Sequence, residues 1–191
     1  MSSVPISYEL ENEEIINHNI ADASKEYLVK EAKRLESTGV DFLVLPCNSL
    51  HVFIKEIRDS VKIPVLSILE ETTNFIKSNG FKKVGLITTS ATIKYKIYDK
   101  ILKANNIDFI IPNDSQRAEM DRVIQRLTNG TRLDADRTAI MSVIQDLKSQ
   151  GADAVALACT DLQLLKPSDN EIVVFDTMRV LATSTVENIL A

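Results

Sequence analysis

Short runs that are apolar at every position alternate along this chain with longer stretches that are apolar only every third or fourth residue. The two patterns separate strands from helices. Ile6 to Leu10 predicts a short strand, and the acidic segment Glu9 to Glu14 follows. Ile16, Ile20, Ala23, Tyr27, Ala32 and Leu35 recur at helical spacing, with Gly39 as the C-terminal cap. Val40 to Leu45 then reads as a strand ending at Pro46-Cys47-Asn48-Ser49, after which Leu50, Phe53, Ile54 and Ile57 suit a helix. Ile63 to Leu66 predicts a strand, Glu70 to Ser78 a helix stopped by Gly80, and Val84 to Ile87 a buried strand running into Thr88-Thr89-Ser90-Ala91-Thr92. From that turn a helix is expected through Leu102, then a strand at Phe109 to Ile111 closed by Pro112. Asp114 or Ser115 is the expected N-cap of a helix carrying Met120, Val123, Ile124 and Leu127 and broken at Asn129-Gly130. A further helix ends at Gly151, a strand follows, Ile172 to Phe175 is another strand, and Met178 to Leu190 forms the last helix.

This alternation contains a duplication. Gly39-Val40-Asp41-Phe42-Leu43-Val44-Leu45-Pro46-Cys47 returns 112 positions later as Gly151-Ala152-Asp153-Ala154-Val155-Ala156-Leu157-Ala158-Cys159. Leu35-Glu36-Ser37-Thr38 is echoed by Leu147-Lys148-Ser149-Gln150 at the same offset, so the repeat includes the helix before the strand. Short strands that are apolar on both faces, set between amphipathic helices, indicate parallel sheets covered on both sides. The expected class is therefore α/β: two pseudo-symmetric, Rossmann-like halves with parallel sheets flanked by helices, and an active-site cleft between them. The first half is assigned to residues 1–78 plus 176–191 and the second to 79–175.

Composition changes this picture only by exclusion. A net charge of -5, with no run of lysine and arginine, argues against a nucleic-acid or anionic-membrane surface. The first twenty residues lack a basic region followed by an apolar core, and the apolar runs are strand-sized, so neither a signal peptide nor a membrane span is expected. A cytoplasmic location follows from that reading. In a reducing compartment Cys47 and Cys159, the two cysteines of the chain, are expected as thiols rather than as a disulfide.

A single cysteine at a strand end is usually a small buried hydrophobe. Two at equivalent places of a repeat, each at the C-terminal end of a strand where open α/β sheets bind ligands, are a different matter. Each is followed by polar residues at the start of a helix, whose N-H groups stabilise a thiolate or hold a carboxylate. Halves facing across a cleft aim one thiol at each face of a small molecule, the geometry of a two-base racemase. One thiolate removes the proton alpha to a carboxylate, and the opposite thiol returns a proton to the other face. Asn48, Ser49 and Thr160 are of the type that binds the carboxylate, with Thr89, Ser90 and Thr92 as further donors. His51 and Asp161 are supporting residues. Zinc ligation by Cys47, His51, Cys159 and Asp161 is a second use of the same residues, although the Cys-x-x-x-His spacing has no local partner pair. A Cys47–Cys159 redox couple is a third, without a Cys-x-x-Cys motif.

Pro46-Cys47-Asn48-Ser49-Leu50-His51, Gly85 to Thr92 and Ala158-Cys159-Thr160-Asp161-Leu162 resemble the aspartate/glutamate racemase family, whose members carry Pro-Cys-Asn-Thr-x-His and Gly-Cys-Thr-Glu. The resemblance covers nearly the whole chain. It implies cofactor-independent amino-acid racemization by two cysteines, no metal, a homodimer, and substrate contacts at Asn48, Thr89, Thr92 and Thr160. The chain departs from the family at Asp161 and Ser49, which replace Glu and Thr. An arginine that holds the side-chain carboxylate in aspartate racemases falls near Asn12 to Glu14, whereas the first arginine here is Arg34. Thr128 stands where some members have lysine, leaving Arg126 or Arg132 to compensate.

The largest departure is in length. Lys82 to Cys159 spans 77 positions and Met1 to Cys47 only 46, so the first half lacks a counterpart of the strand, turn and helix from Val84 to Leu102. Family members begin with that strand and a Gly-Gly-x-Gly-Pro turn. The expectation is a truncated chain, with a non-catalytic remnant or small-carboxylate binding protein on the same fold as the alternative to a racemase.

Overall fold

Parallel strands and covering helices form two sheets of unequal size. The structure, a computed structural model, describes residues 3–7, 20 and 22–190. Helix α1 (Asp22–Ser37) is followed by a glycine turn in which Gly39 takes φ 80°, and then by β1 (Leu43–Leu45). A 3-10 turn (Ser49–Phe53) continues into α2 (Ile54–Ser60), and β2 (Val65–Ser67) returns parallel to β1 with Leu43 opposite Val65. These elements enclose a small core of Ala32, Leu43, Ile57 and Val65.

Helix α3 (Ile68–Ser78) starts where the Ser67 hydroxyl accepts the Glu70 N-H, and it leads to β3 (Lys83–Ile87). Then come α4 (Ser90–Lys94), α5 (Asp99–Ala104), β4 (Asp108–Ile110), α6 (Asp114–Thr128), α7 (Asp134–Ser149), β5 (Ala154–Leu157), β6 (Val173–Asp176) and α8 (Thr177–Leu190). The four strands lie in the order β4-β3-β5-β6, all parallel. Because side chains alternate across a strand, this sheet needs cover on both faces. Ile87, Val155 and Leu157 pack under α6 and α7 with Ile124, Ile140 and Leu147. Val84, Leu86, Ala154 and Ala156 pack on the other face with Ile68 and Ile76 of α3, Leu102 of α5 and Leu181 of α8. Among the described residues no helix is long and apolar enough to cross a membrane.

The α/β class and the alternation of elements match the pattern of the chain, and the differences have local causes. Pro64 has no N-H to pair and instead accepts the Leu43 N-H through its carbonyl, so β2 begins at Val65 rather than Ile63. The helix expected from Thr92 to Leu102 is two helices. Lys96 takes φ 52° between them, and the break turns Tyr98 into the core. Asn113 caps α6 instead of Asp114 or Ser115, exchanging hydrogen bonds with Gln116 in a capping box. The helix expected after Cys159 is only a 3-10 turn (Leu162–Leu165). Ile6 belongs to no strand, while Tyr8 to Leu10 and Ile16 lie outside the described residues.

Gly85 sits at a close approach of the sheet and α7. A Cβ there would meet Leu147 Cδ1 at 3.0 Å and Val155 Cγ2 at 3.2 Å. Gly85→Val is therefore expected to lower the unfolding free energy by roughly 1–3 kcal/mol through overpacking. Urea denaturation measures this, and an unchanged midpoint at unchanged slope would refute the close approach.

Candidate active site

Cys47 and Cys159 occupy matching places, each just beyond the C-terminal end of a parallel strand, and both are half-buried thiols outside any disulfide. A cavity of about 500 Å³ is lined by β1 and Val65 of the smaller sheet and by the turns that follow β3 and β5 of the larger one. Asn48 and Ser49 join Cys47 on one side, Thr89 and Thr92 come from the end of β3, and Thr160 and Asp161 accompany Cys159. The Cys47 Sγ lies 3.4 Å from the Ser49 Oγ. The residues after each cysteine form 3-10 turns, which carry less aligned dipole than the expected helix starts. The hydroxyl-bearing residues Ser49, Thr89, Thr92 and Thr160 make up much of the polar lining of this site.

His51 and Ser90 do not border the cavity. Ser90 faces α6, giving its backbone N-H and its hydroxyl to Asp121 at 3.0 and 2.5 Å. His51 is buried, with Nδ1 2.6 Å from the Cys47 carbonyl oxygen and Nε2 3.2 Å from the Ile68 N-H. A carbonyl can only accept and an amide N-H can only donate, so His51 is the neutral tautomer protonated at Nδ1. Burial pushes its pKa down to about 4. With both ring nitrogens committed, His51 drops out of the zinc set, and among the described residues no cluster of three or more ligating side chains is present.

Asn48 is pinned from both ends. Its Oδ1 accepts the Tyr98 hydroxyl at 2.6 Å, and its Nδ2 donates to Thr177 Oγ1 at 3.1 Å. Thr177 in turn donates to the Leu157 carbonyl, two residues before Cys159. This buried chain ties the Cys47 loop to the strand carrying Cys159. Thr88 adds a tie on the opposite edge of β5, donating to the Ala158 carbonyl at 2.8 Å. Sequence reasoning passed over Tyr98, Thr177 and Thr88, since a tyrosine in a helical pattern and threonines at strand ends carry no mark of such a role.

The charged residues around the site are mostly spoken for. Thr128 donates to Asp161 Oδ2 at 3.1 Å, and burial raises the Asp161 carboxyl above its usual range. Arg126 is held by the fully buried Asp136 through Nε at 3.0 Å and Nη2 at 2.5 Å, so it does not serve the cavity, and Arg132 does not border it.

The Asp/Glu/hydantoin racemase family profile matches residues 8–185. The broad specificity amino-acid racemase RacX of Bacillus subtilis is 34% identical over 171 residues, which is 89% of this chain and 74% of that protein. The aspartate racemase of Picrophilus torridus superposes with a TM-score of 0.73 at 30% identity, covering 85% of this chain and 68% of its own. An aspartate racemase homologue from Pyrococcus horikoshii, at 24% identity, shares the fold with a TM-score of 0.77 over 97% of this chain and 83% of its own.

Two outcomes follow from the hydrogen bonds around Cys47. Tyr98→Phe leaves Asn48 Oδ1 without its buried donor and should cost roughly 1–3 kcal/mol of stability, read by urea denaturation; an equal midpoint would show that the bond contributes nothing. His51 titrates lower in the fold than in the unfolded chain, so the unfolded state binds more protons between its ordinary value and about 4. Stability conferred by neutral His51 is thus lost as pH falls through that window, by up to about 3 kcal/mol. His51→Gln should flatten this part of the stability–pH curve, and a slope identical to the parent's would remove His51 as its source.

Proposed function

Because the chain belongs to the Asp/Glu/hydantoin racemase family, we propose that it is an amino-acid racemase in which Cys47 and Cys159 form a two-base pair. The observation that carries this is the cavity itself. Thiols from equivalent ends of repeated strands border one space of about 500 Å³. One cysteine, as thiolate, accepts the proton from the α carbon, and the electron pair left behind is delocalised into the substrate carboxylate. The other, as thiol, delivers its proton to the opposite face, so the pair ends with its protonation reversed and the α carbon inverted. No cofactor takes part in these steps.

The hydroxyls of Ser49, Thr89, Thr92 and Thr160 are assigned to the substrate carboxylate and amine, where positioned donors offset the developing charge. Asn48 contributes the remaining Nδ2 hydrogen, its Oδ1 being taken by Tyr98. His51 acts through position, holding the Cys47 carbonyl, and Asp161 stands behind Cys159. The reading includes a cytoplasmic homodimer, for which exposed Val186, Ile189 and Leu190 on α8 offer an apolar face. The second reading, a carboxylate-binding protein without turnover, draws on one observation. The sheet behind Cys47 has two strands among the described residues, against four behind Cys159.

Hydrogen exchange at the α carbon in D₂O separates the two. Racemization requires exchange with at least one amino acid, and Cys47→Ser and Cys159→Ser should each slow it by roughly 10²–10⁴-fold. Racemization at the parent's rate after either substitution would sink the two-base assignment, and exchange with no amino acid would favour the binding protein.

A further inference from the structure

The reacting end of the cavity is polar, and its other end is not. Beyond the thiols its lining includes Val4 and Ile6 and the cluster that Leu28 and Leu35 of α1 form with Leu43 and Leu45 of β1. The charged side chains that line the cavity are carboxylates. Glu31 is paired with Arg34, whose Nε lies 2.5 Å from its Oε2, and Asp161 is hydrogen-bonded to Thr128. Among the described wall residues there is no lysine or arginine, and the sequence contains none before Lys25.

Three side-chain classes can be weighed against that wall. An acidic side chain would lose its hydration beside the Glu31 carboxylate, whose partner Arg34 is already engaged. A cationic side chain would find Glu31 already neutralised by Arg34 and Asp161 displaced towards its protonated form by burial. An apolar side chain meets hydrocarbon and gains from every methylene it removes from water.

Resting on the racemase reading, we propose that the substrate is an amino acid with an uncharged apolar side chain of roughly leucine to phenylalanine size, seated against the apolar lining that α1 and β1 present to the cavity. Leu28 and Leu35 act as specificity-determining residues, and the α carbon lies between Cys47 and Cys159.

Calorimetric titration of the intact protein with alanine, leucine, methionine, phenylalanine, lysine, aspartate and glutamate reads the side-chain class without turnover. Each buried methylene is worth roughly fourfold in affinity, so leucine is expected to bind on the order of 50-fold more tightly than alanine. Lysine, aspartate and glutamate should bind no better than alanine. Leu28→Asn, and independently Leu35→Asn on another turn of α1, should each cut leucine's advantage over alanine at least fivefold. Equal affinity for leucine and alanine, tighter binding of lysine or of either acidic amino acid, or an advantage untouched in both variants when folded would each overturn the proposal. The racemase reading fails separately. Leucine bound without α-hydrogen exchange keeps the apolar site and removes the racemase, whereas exchange confined to aspartate and glutamate keeps the racemase and removes the apolar site.

Discussion

The chain of hydrogen bonds through Tyr98, Asn48, Thr177 and Leu157 is the constraint on which the geometry of the site depends. Its members come from the loop after β1, the break between α4 and α5, the start of α8 and the end of β5. Each is buried, so each polar group must find its partner inside the protein or lose roughly 1–3 kcal/mol. This narrows the positions open to the Cys47 loop. A shift large enough to change its distance from Cys159 would strand the Asn48 amide. Packing alone tolerates small slides between layers, whereas a directional network of this kind does not.

The halves joined by this network share a sequence pattern and differ in support. Gly39 and Gly151 both take positive φ, at 80° and 86°, and start each strand in the same way. Beyond that point the environments diverge. β5 is paired on both edges, by β3 and β6, and Ala156 is fully buried; β1 is paired with β2 alone among the described residues, and its equivalent Val44 is 39% exposed. Asp153 shows what the second edge adds, since its carboxylate accepts the N-H groups of Lys82 and Lys83 and ties the start of β3 to β5. The Cys159 side therefore rests on a sheet held from both directions. The Cys47 side depends more heavily on His51 and Asn48 to stay in place.

The strands and helices were legible because their signals are local: runs such as Val84 to Ile87 and the glycines that stop helices. The cysteines could be paired because the duplication is written in the chain, and Gly39 to Cys47 aligns with Gly151 to Cys159 without a gap. What could not be read were relations between distant polar residues. Tyr98 and Asn48 are fifty positions apart, and no period connects a tyrosine in a broken helix to an asparagine in a loop. The reverse error occurred with Ser90, whose place in a threonine-rich turn suggested the site. Its hydroxyl is drawn away by Asp121 on α6, a contact made only once the helices pack. Arg126 fails for the same reason, because Asp136 claims its guanidinium.

These commitments leave the cavity with an uneven division of labour. Its ionisable neighbours are neutralised or turned aside: His51 is neutral, Glu31 is matched by Arg34 and Arg126 faces Asp136. A charge arising at the α carbon or on a thiol would consequently meet few fixed counter-charges. Short 3-10 turns add little dipole, so its stabilisation falls on rotatable hydroxyls such as Ser49 Oγ, already 3.4 Å from Cys47 Sγ. A hydroxyl is both donor and acceptor and can serve a thiolate in one half of a reversible cycle and a thiol in the other. A fixed cation would favour the thiolate on its own side and bias the two-base exchange. In the two-base exchange proposed for Cys47 and Cys159, a surround of hydroxyls and hydrocarbon would keep the two directions balanced and leave selection of the substrate to the shape of the apolar lining.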